Sequence, residues 1–279
     1  MRVIGFGSII IEYYFKNGKI LGILGNNRSA NVLKYLNAEY KTCFFAKIGN
    51  DHQGRIGMRS LQDRGIDVQI CDEVDEPSKV LFHDEFGYSK TCPYCDRLHK
   101  EYVEEFDAMR IIDFIKRDDV IILDHLDEST IDLLKEVDNL AFLTIDNKNF
   151  FISKGYDEII DDLSGRISVI SMTENVYNFC KKKYDIDSMD LYRDLQVDML
   201  IINRKDRGYD LIYDDVFDKR DFAEYSVKYN SKYQDMLFSE VINLDLKGNV
   251  KIDTKLVSKA FMQTIMNFNI LSEDRKSVV

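Results

Sequence analysis

Asp235 closes the stretch NSKYQD and is followed at once by Met236, Leu237 and Phe238. Polar residues ahead of an apolar run mark a helix start. An acid there can simply favour the helix dipole, or it can take a proton from a substrate hydroxyl if it faces a cleft. Lys232, three positions earlier, reads as a solvated cation. Glu12 follows the apolar run RVIGFGSIII and reads as the first exposed residue after a strand. Asp51 precedes a helical pattern as a cap or a ligand acceptor, and Asn31 sits on a helix as a surface residue or a ligand partner.

A separate constellation lies in TCPYCDRLH, where Cys92, Cys95 and His99 stand at metal-ligand spacing. Tetrahedral zinc needs a fourth ligand, for which His83 on the preceding strand is the nearest candidate. Cys-Pro-Tyr-Cys is also the active-site sequence of glutaredoxins, in which a thiol at a helix N-terminus is acidified. Unligated thiols are the third reading. His52 and His125 stand alone in sequence and read as structural or surface residues.

These residues need a frame. RVIGFGSIII reads as one strand covered on both faces, and a polar hairpin-like stretch follows at Lys16 to Lys19. A helix around Ala30, Leu33 and Leu36 leads to the strand CFFAKIG, then to a helix from Asp51 that Gly65 terminates. Short strands are expected at Val68 to Cys71 and Lys79 to Phe86, then a helix from about Arg97 to Ile115. The later chain alternates strand and helix through VIILDHL, LAFLTID, RISVISM and MLIIN, with helices at DMLFSEVINL and about Thr254 to Asn267. Alternation of this kind implies a mostly parallel sheet flanked by helices.

The 279 residues suffice for a substantial core. A net charge of −11 argues against nucleic acid, which demands a basic face. No apolar run approaches the roughly 20 residues that cross a bilayer. Five cysteines, an odd number, suit a reducing cytoplasm better than a disulfide framework.

One segment narrows the class further. Residues 47 to 68, KIGNDHQGRIGMRSLQDRGIDV, together with NNRSANV upstream, resemble the first signature of the ribokinase-type (PfkB) carbohydrate kinases. Lys47, Gly49, Asp51, Gly54, Gly65 and Asp67 match directly. Asn26 and Asn27 fall on the family's paired glycines and Asn31 on its helix Asn. The rest follows the family's order more loosely. Gly7 and Glu12 take the places of a Gly and a sugar-holding Asp, and Asp146 matches the end of "D-x-N". Thr173 and Val176 lie where Asn and Glu order the metal and phosphates. Asn203, Lys205 and Gly208 lie on the nucleotide loop, where only the last is retained. The second signature, normally Asp-Thr-Thr-Gly-Ala-Gly-Asp, keeps only Asp235.

The resemblance implies a ribokinase-like α/β fold over a single domain of residues 1–279, with a small β lid from about 13–24 and 68–92. It implies transfer of the γ-phosphoryl of ATP, with magnesium, to a hydroxyl of a sugar-like molecule. Asp235 would be the base, and Glu12, Asn27, Asn31 and Asp51 would line the substrate. Gly208, Lys232 and Asn203 would line the nucleotide, and zinc at Cys92, Cys95 and His99 would brace the lid. A homodimer through the lid follows by the same analogy. The replaced nucleotide-side residues point equally to a relative that binds a sugar without catalysis, and the cysteine pair to a metal- or redox-dependent regulator.

Overall fold

The computed structural model describes residues 1–84, 87–89, 91–93, 106–222, 232–247 and 257–264. The chain divides into two compact units, Met1–Ile122 and Leu123–Val279.

The first unit runs β1 (Arg2–Ser8), β2 (Ile10–Lys16), β3 (Lys19–Asn26), α1 (Arg28–Leu36), β4 (Lys41–Gly49), α2 (His52–Gln62), β5 (Asp67–Val74), β6 (Val80–Asp84) and β7 (Gly87–Ser89). A 3₁₀ segment, Ala108–Phe114, and β8 (Val120–Leu123) complete it. The second unit holds α3 (Glu128–Glu136), β9 (Ala141–Ile145), α4 (Asn149–Ser153), α5 (Tyr156–Leu163) and β10 (Val169–Thr173). There follow α6 (Glu174–Tyr184), α7 (Ser188–Leu195), β11 (Met199–Asn203), β12 (Gly208–Tyr213), β13 (Val216–Asp221) and α8 (Lys232–Lys247). A further helical stretch covers 257–264.

The strands form a nine-stranded sheet, β13-β12-β11-β10-β9-β8-β1-β4-β5, and a four-stranded sheet, β3-β2-β6-β7. In the large sheet β1, β4, β5 and β8 pair in parallel, as do β9, β10 and β11. Only β12 and β13 join antiparallel. Phe44, Phe45, Ala46 and Ile48 on β4 are fully buried, as a strand covered on both faces requires. Each such large side chain is worth about 1.5–3 kcal/mol of transfer free energy.

RVIGFGSIII is two strands rather than the expected one. Gly7 has φ +138°, Ser8 still pairs with Lys47 in the large sheet, and β2 begins at Ile10 in the small one. Asn17 and Gly18, both at positive φ, make the tight turn between β2 and β3. The small sheet seats closely on α2, because a Cβ on Gly25 would lie 2.2 Å from the carbonyl oxygen of Gly57.

Other expectations shift in kind. The part of 68–92 that forms β5 is an edge strand of the large sheet, carried there by the α2 crossover from β4. Residues 94–105 lie outside the described residues, and Ala108–Phe114 is a 3₁₀ segment whose start Asp107 caps through the amide of Met109. The helices α4, α5 and α7 and the strand β13 answer to no sequence expectation. In the second unit Phe142 and Phe238 meet edge to face with ring centroids 6.5 Å apart, which seats α8 on β9.

Candidate functional site

Strand alternation sorts β2 into two faces. Ile11, Tyr13 and Phe15 pack into an apolar cluster with Val80 and Phe82 of β6. Glu12 and Tyr14 point to the opposite face. Glu12 is only 8% exposed, so it is not the first solvated residue after a strand. Its carboxylate accepts from the Tyr14 hydroxyl at 2.6 Å and from the Asn26 amide at 2.8 Å. The Nε2 of His83 stands 3.3 Å away. The His83 ring lies flat on Tyr14, centroids 4.8 Å apart and planes at 10°, a consequence of the register that pairs Tyr14 with His83 across β2 and β6. The Asn26 carbonyl accepts in turn from Asn31 at 2.8 Å. Arg64, held below the usual guanidinium range by burial against the pull of Tyr14 and Glu12, donates to the Gly25 carbonyl.

A carboxylate offers about four lone-pair sites. Glu12 spends two on neutral donors, so it retains capacity for a ligand hydroxyl. Carboxylate, amide, phenol and imidazole on one small surface form a donor and acceptor set suited to a polyhydroxylated molecule. Asn31 and Glu12 are brought together, with Asn26 as the link between them. Asn27 takes a different part. It caps α1 by accepting from the Ala30 amide at 3.2 Å and donates to the Ser8 carbonyl at 3.2 Å.

Asp51 caps α2. It accepts from the Gly54 amide at 2.7 Å, and from the amide and hydroxyl of Ser78 at 2.8 and 2.7 Å. Burial works to raise its pKa, but those bonds outweigh burial and the net direction is down. Its oxygens are committed to joining the α2 start to the segment before β6.

The second unit carries the positions that the sequence resemblance assigns to the nucleotide. Asp235 lies in the first turn of α8, half-buried. Gln234 beside it is 6% exposed, and its Nε2 has no hydrogen-bond partner among the described residues. Lys232 is the first residue of α8. At the end of β11, Asn203 is buried and accepts through its side chain from the amide of Lys205 at 2.8 Å. Lys205 takes φ +58°, a left-handed turn that glycine makes more cheaply. Gly208 has φ +127°, and a Cβ there would lie 1.9 Å from the Arg220 carbonyl oxygen. The closeness of β12 and β13 is by itself a backbone reason for glycine here.

Arg204 fills the space behind this loop. It is buried, with Asp210 and Asp221 each 2.7 Å from its guanidinium, and it donates to the carbonyls of Tyr209 and Arg220 at 3.1 Å. Burial holds the Asp210 carboxyl above the usual range, while the Arg204 hydrogen bond holds Asp221 below it. Val176, at the family's Glu position, is 1% exposed and belongs to the core. The acid at this strand end is Glu174, in the first turn of α6 and paired with Arg207. The Thr173 hydroxyl donates to the Asp146 carbonyl at 3.4 Å.

Zinc finds no support among the described residues, where no group of three or more His, Cys, Asp or Glu side chains is placed to hold a metal. Cys92 packs on the apolar cluster of β2 and β6. His83 faces Glu12 instead. Cys95 and His99 lie outside the described residues. No described helix is long and apolar enough to cross a membrane.

Against known structures the match is extensive in space and thin in sequence. The apo fructokinase from Vibrio cholerae O395 superposes with a TM-score of 0.65 at 13% identity, covering 99% of each chain. The fold is ribokinase-like. Aminoimidazole riboside kinase from Salmonella enterica, solved with aminoimidazole riboside and an ATP analog, gives 0.62 at 16% identity over 95% of this chain and 91% of that one. Ribokinase from Thermotoga maritima gives 0.59 at 12% identity over 95% and 90%. No protein-family model matches the chain, and no curated protein does. Tyr14 is not singled out by the sequence, Asn26 only as a position of the first signature, and His83 only as a zinc candidate. His83 reaches Glu12 through the pairing of β2 with β6, and Asn26 through the β2–β3 hairpin.

Proposed function

We propose that the chain is a ribokinase-like kinase that transfers the γ-phosphoryl group of ATP to a hydroxyl of a small sugar-like molecule. The buried carboxylate of Glu12, with Tyr14, Asn26 and His83 around it, carries this reading. A cluster of unlike donors and acceptors on the small sheet suits recognition of several hydroxyls at once. Asn31 extends it through Asn26. Asn27 and Asp51 serve by fixing the starts of α1 and α2.

Asp235 is the base in this reading. Its position at a helix start is where the family pattern keeps an acid, and a carboxylate can accept a hydroxyl proton as the nucleophile forms. The loop of Asn203 to Gly208 and the start of α8 are the nucleotide side. ATP there supplies the phosphoryl group, and magnesium, bound largely by the phosphates themselves, would neutralise its charge. Glu174 and Asp146 are the acids at the neighbouring strand ends.

One observation favours a second reading, a sugar-binding protein with little catalysis. The start of α8 carries Lys232, Tyr233 and Gln234 where the family has glycines that bring amides against a phosphate. Losing one donor from an anion site costs on the order of 3 kcal/mol. Thermal unfolding with a panel of sugars and with Mg-ATP separates the two. The kinase reading expects stabilisation by both, since any ligand of the native state raises Tm. Stabilisation by a sugar alone favours the binder, and stabilisation by neither removes both readings.

A further inference from the structure

Behind the Glu12 face of the small sheet lies a cavity of about 160 Å³, lined by Tyr13, Phe15, Ile20, Val80, Phe82 and Cys92, with Gln53 of α2 at one side. Three aromatic rings form its wall, with Tyr13 and Phe82 stacked at 5.5 Å and Phe15 5.9 Å from Phe82. Ile20, 46% exposed, marks the side open to solvent. Among the described lining residues, the side-chain oxygen and nitrogen atoms belong to Tyr13 and Gln53, where the Tyr13 hydroxyl donates to the Gln53 side-chain oxygen. Two features then fix the occupant. An apolar cavity of roughly 150 Å³ takes one aromatic ring, and its walls give water too few partners. A single polar pair can meet a single polar group.

We propose that this cavity binds a small aromatic molecule bearing one hydroxyl or carbonyl group, of the size of a phenol. The ring stacks among Tyr13, Phe15 and Phe82, and its polar group bonds at the Tyr13–Gln53 pair. The residues that line the cavity alternate with those of the polar face. Tyr13 lies between Glu12 and Tyr14, and Phe82 precedes His83. Resting on the sugar reading above, occupancy of the cavity changes sugar affinity through these shared strands, and the sugar changes phenol affinity by the same factor.

The test is a titration of the full chain with phenol in the absence of sugar, followed by NMR. Saturable one-to-one binding is expected, with Kd on the order of a millimolar and resonance shifts at Tyr13, Phe15 and Phe82. Cys92→Phe, which fills the cavity, should weaken phenol at least about tenfold. Gln53→Ala should weaken phenol about fivefold and leave benzene unaffected. Absence of saturation in the wild type overturns the site, as does binding unchanged in both variants. Because no sugar is present, failure here leaves the sugar reading intact. A sugar Kd indifferent to saturating phenol would remove only the coupling.

Discussion

The carboxylate of Glu12 and the Nε2 of His83 face each other at 3.3 Å across paired strands of the small sheet. The contact joins the end of the chain's first apolar run to a strand that follows the α2 crossover. It makes His83 a partner of Glu12 and sets the Tyr14 ring against the imidazole.

Glu12→Gln keeps the shape and removes the charge. A hydrogen bond to a charged group is worth about 1.5–3 kcal/mol. Sugar affinity measured calorimetrically should therefore fall by one to two orders of magnitude, about 10- to 100-fold, while the fold survives. Equal affinity in the variant would show that the ligand does not touch this carboxylate.

Gly208→Ala tests whether that glycine is kept for the backbone. The new Cβ would overlap the Arg220 carbonyl oxygen at a φ that side chains rarely adopt. A loss of about 2–4 kcal/mol is expected in urea unfolding, seen as a lower midpoint with unchanged slope.

Arg204→Met removes the cation 2.7 Å from the part-buried Asp210, while Asp221 keeps Lys219 at 3.5 Å. Breaking a buried charge pair from one side costs about 3–5 kcal/mol. The double change to Met with Asp210→Asn should recover part of that loss. If denaturation shows no recovery, the two charges are not coupled.

Asp245 of α8 gives a stability change between about pH 4 and pH 6. Burial, and secondarily the charge of Asp198, push its pKa up to about 6. A carboxyl raised in the folded state binds its proton more tightly than the unfolded chain does. Its contribution is present in full below the unfolded value of 3.8 and is lost as pH rises through about 6. Asp245→Asn should accordingly stabilise the protein at pH 7, by on the order of 1 kcal/mol once solvent screening is allowed for. The advantage should vanish near pH 4, as chemical unfolding across that range would read.

The sequence carried the architecture further than the site. Parallel strands with continuous apolar runs, such as CFFAKIG, and the Asp51–Gly54 helix start announce themselves locally, because burial on both faces and capping each need particular residues. Glu12, Asn27 and Asn31 could be named through the family pattern. The contact of His83 with Glu12 could not, since it depends on β6 pairing with β2. Asn27 and Asp51 cap helices, and a cap and a ligand acceptor call for the same side chains. Gly208 matched the family pattern, yet its contact with Arg220 shows a backbone reason for it. The break in RVIGFGSIII escaped notice because hydrophobicity does not record the φ of Gly7.

Phosphoryl transfer itself is the most direct measurement. The purified protein is incubated with Mg-ATP and each sugar that stabilises it, and phosphorus NMR follows the products. A sugar phosphate should form, and Asp235→Asn should slow its formation about 10²- to 10⁴-fold with sugar affinity retained. No phosphorylated product from any sugar that binds, or equal turnover by Asp235→Asn, would contradict the assignment of Asp235 as the base of a sugar kinase.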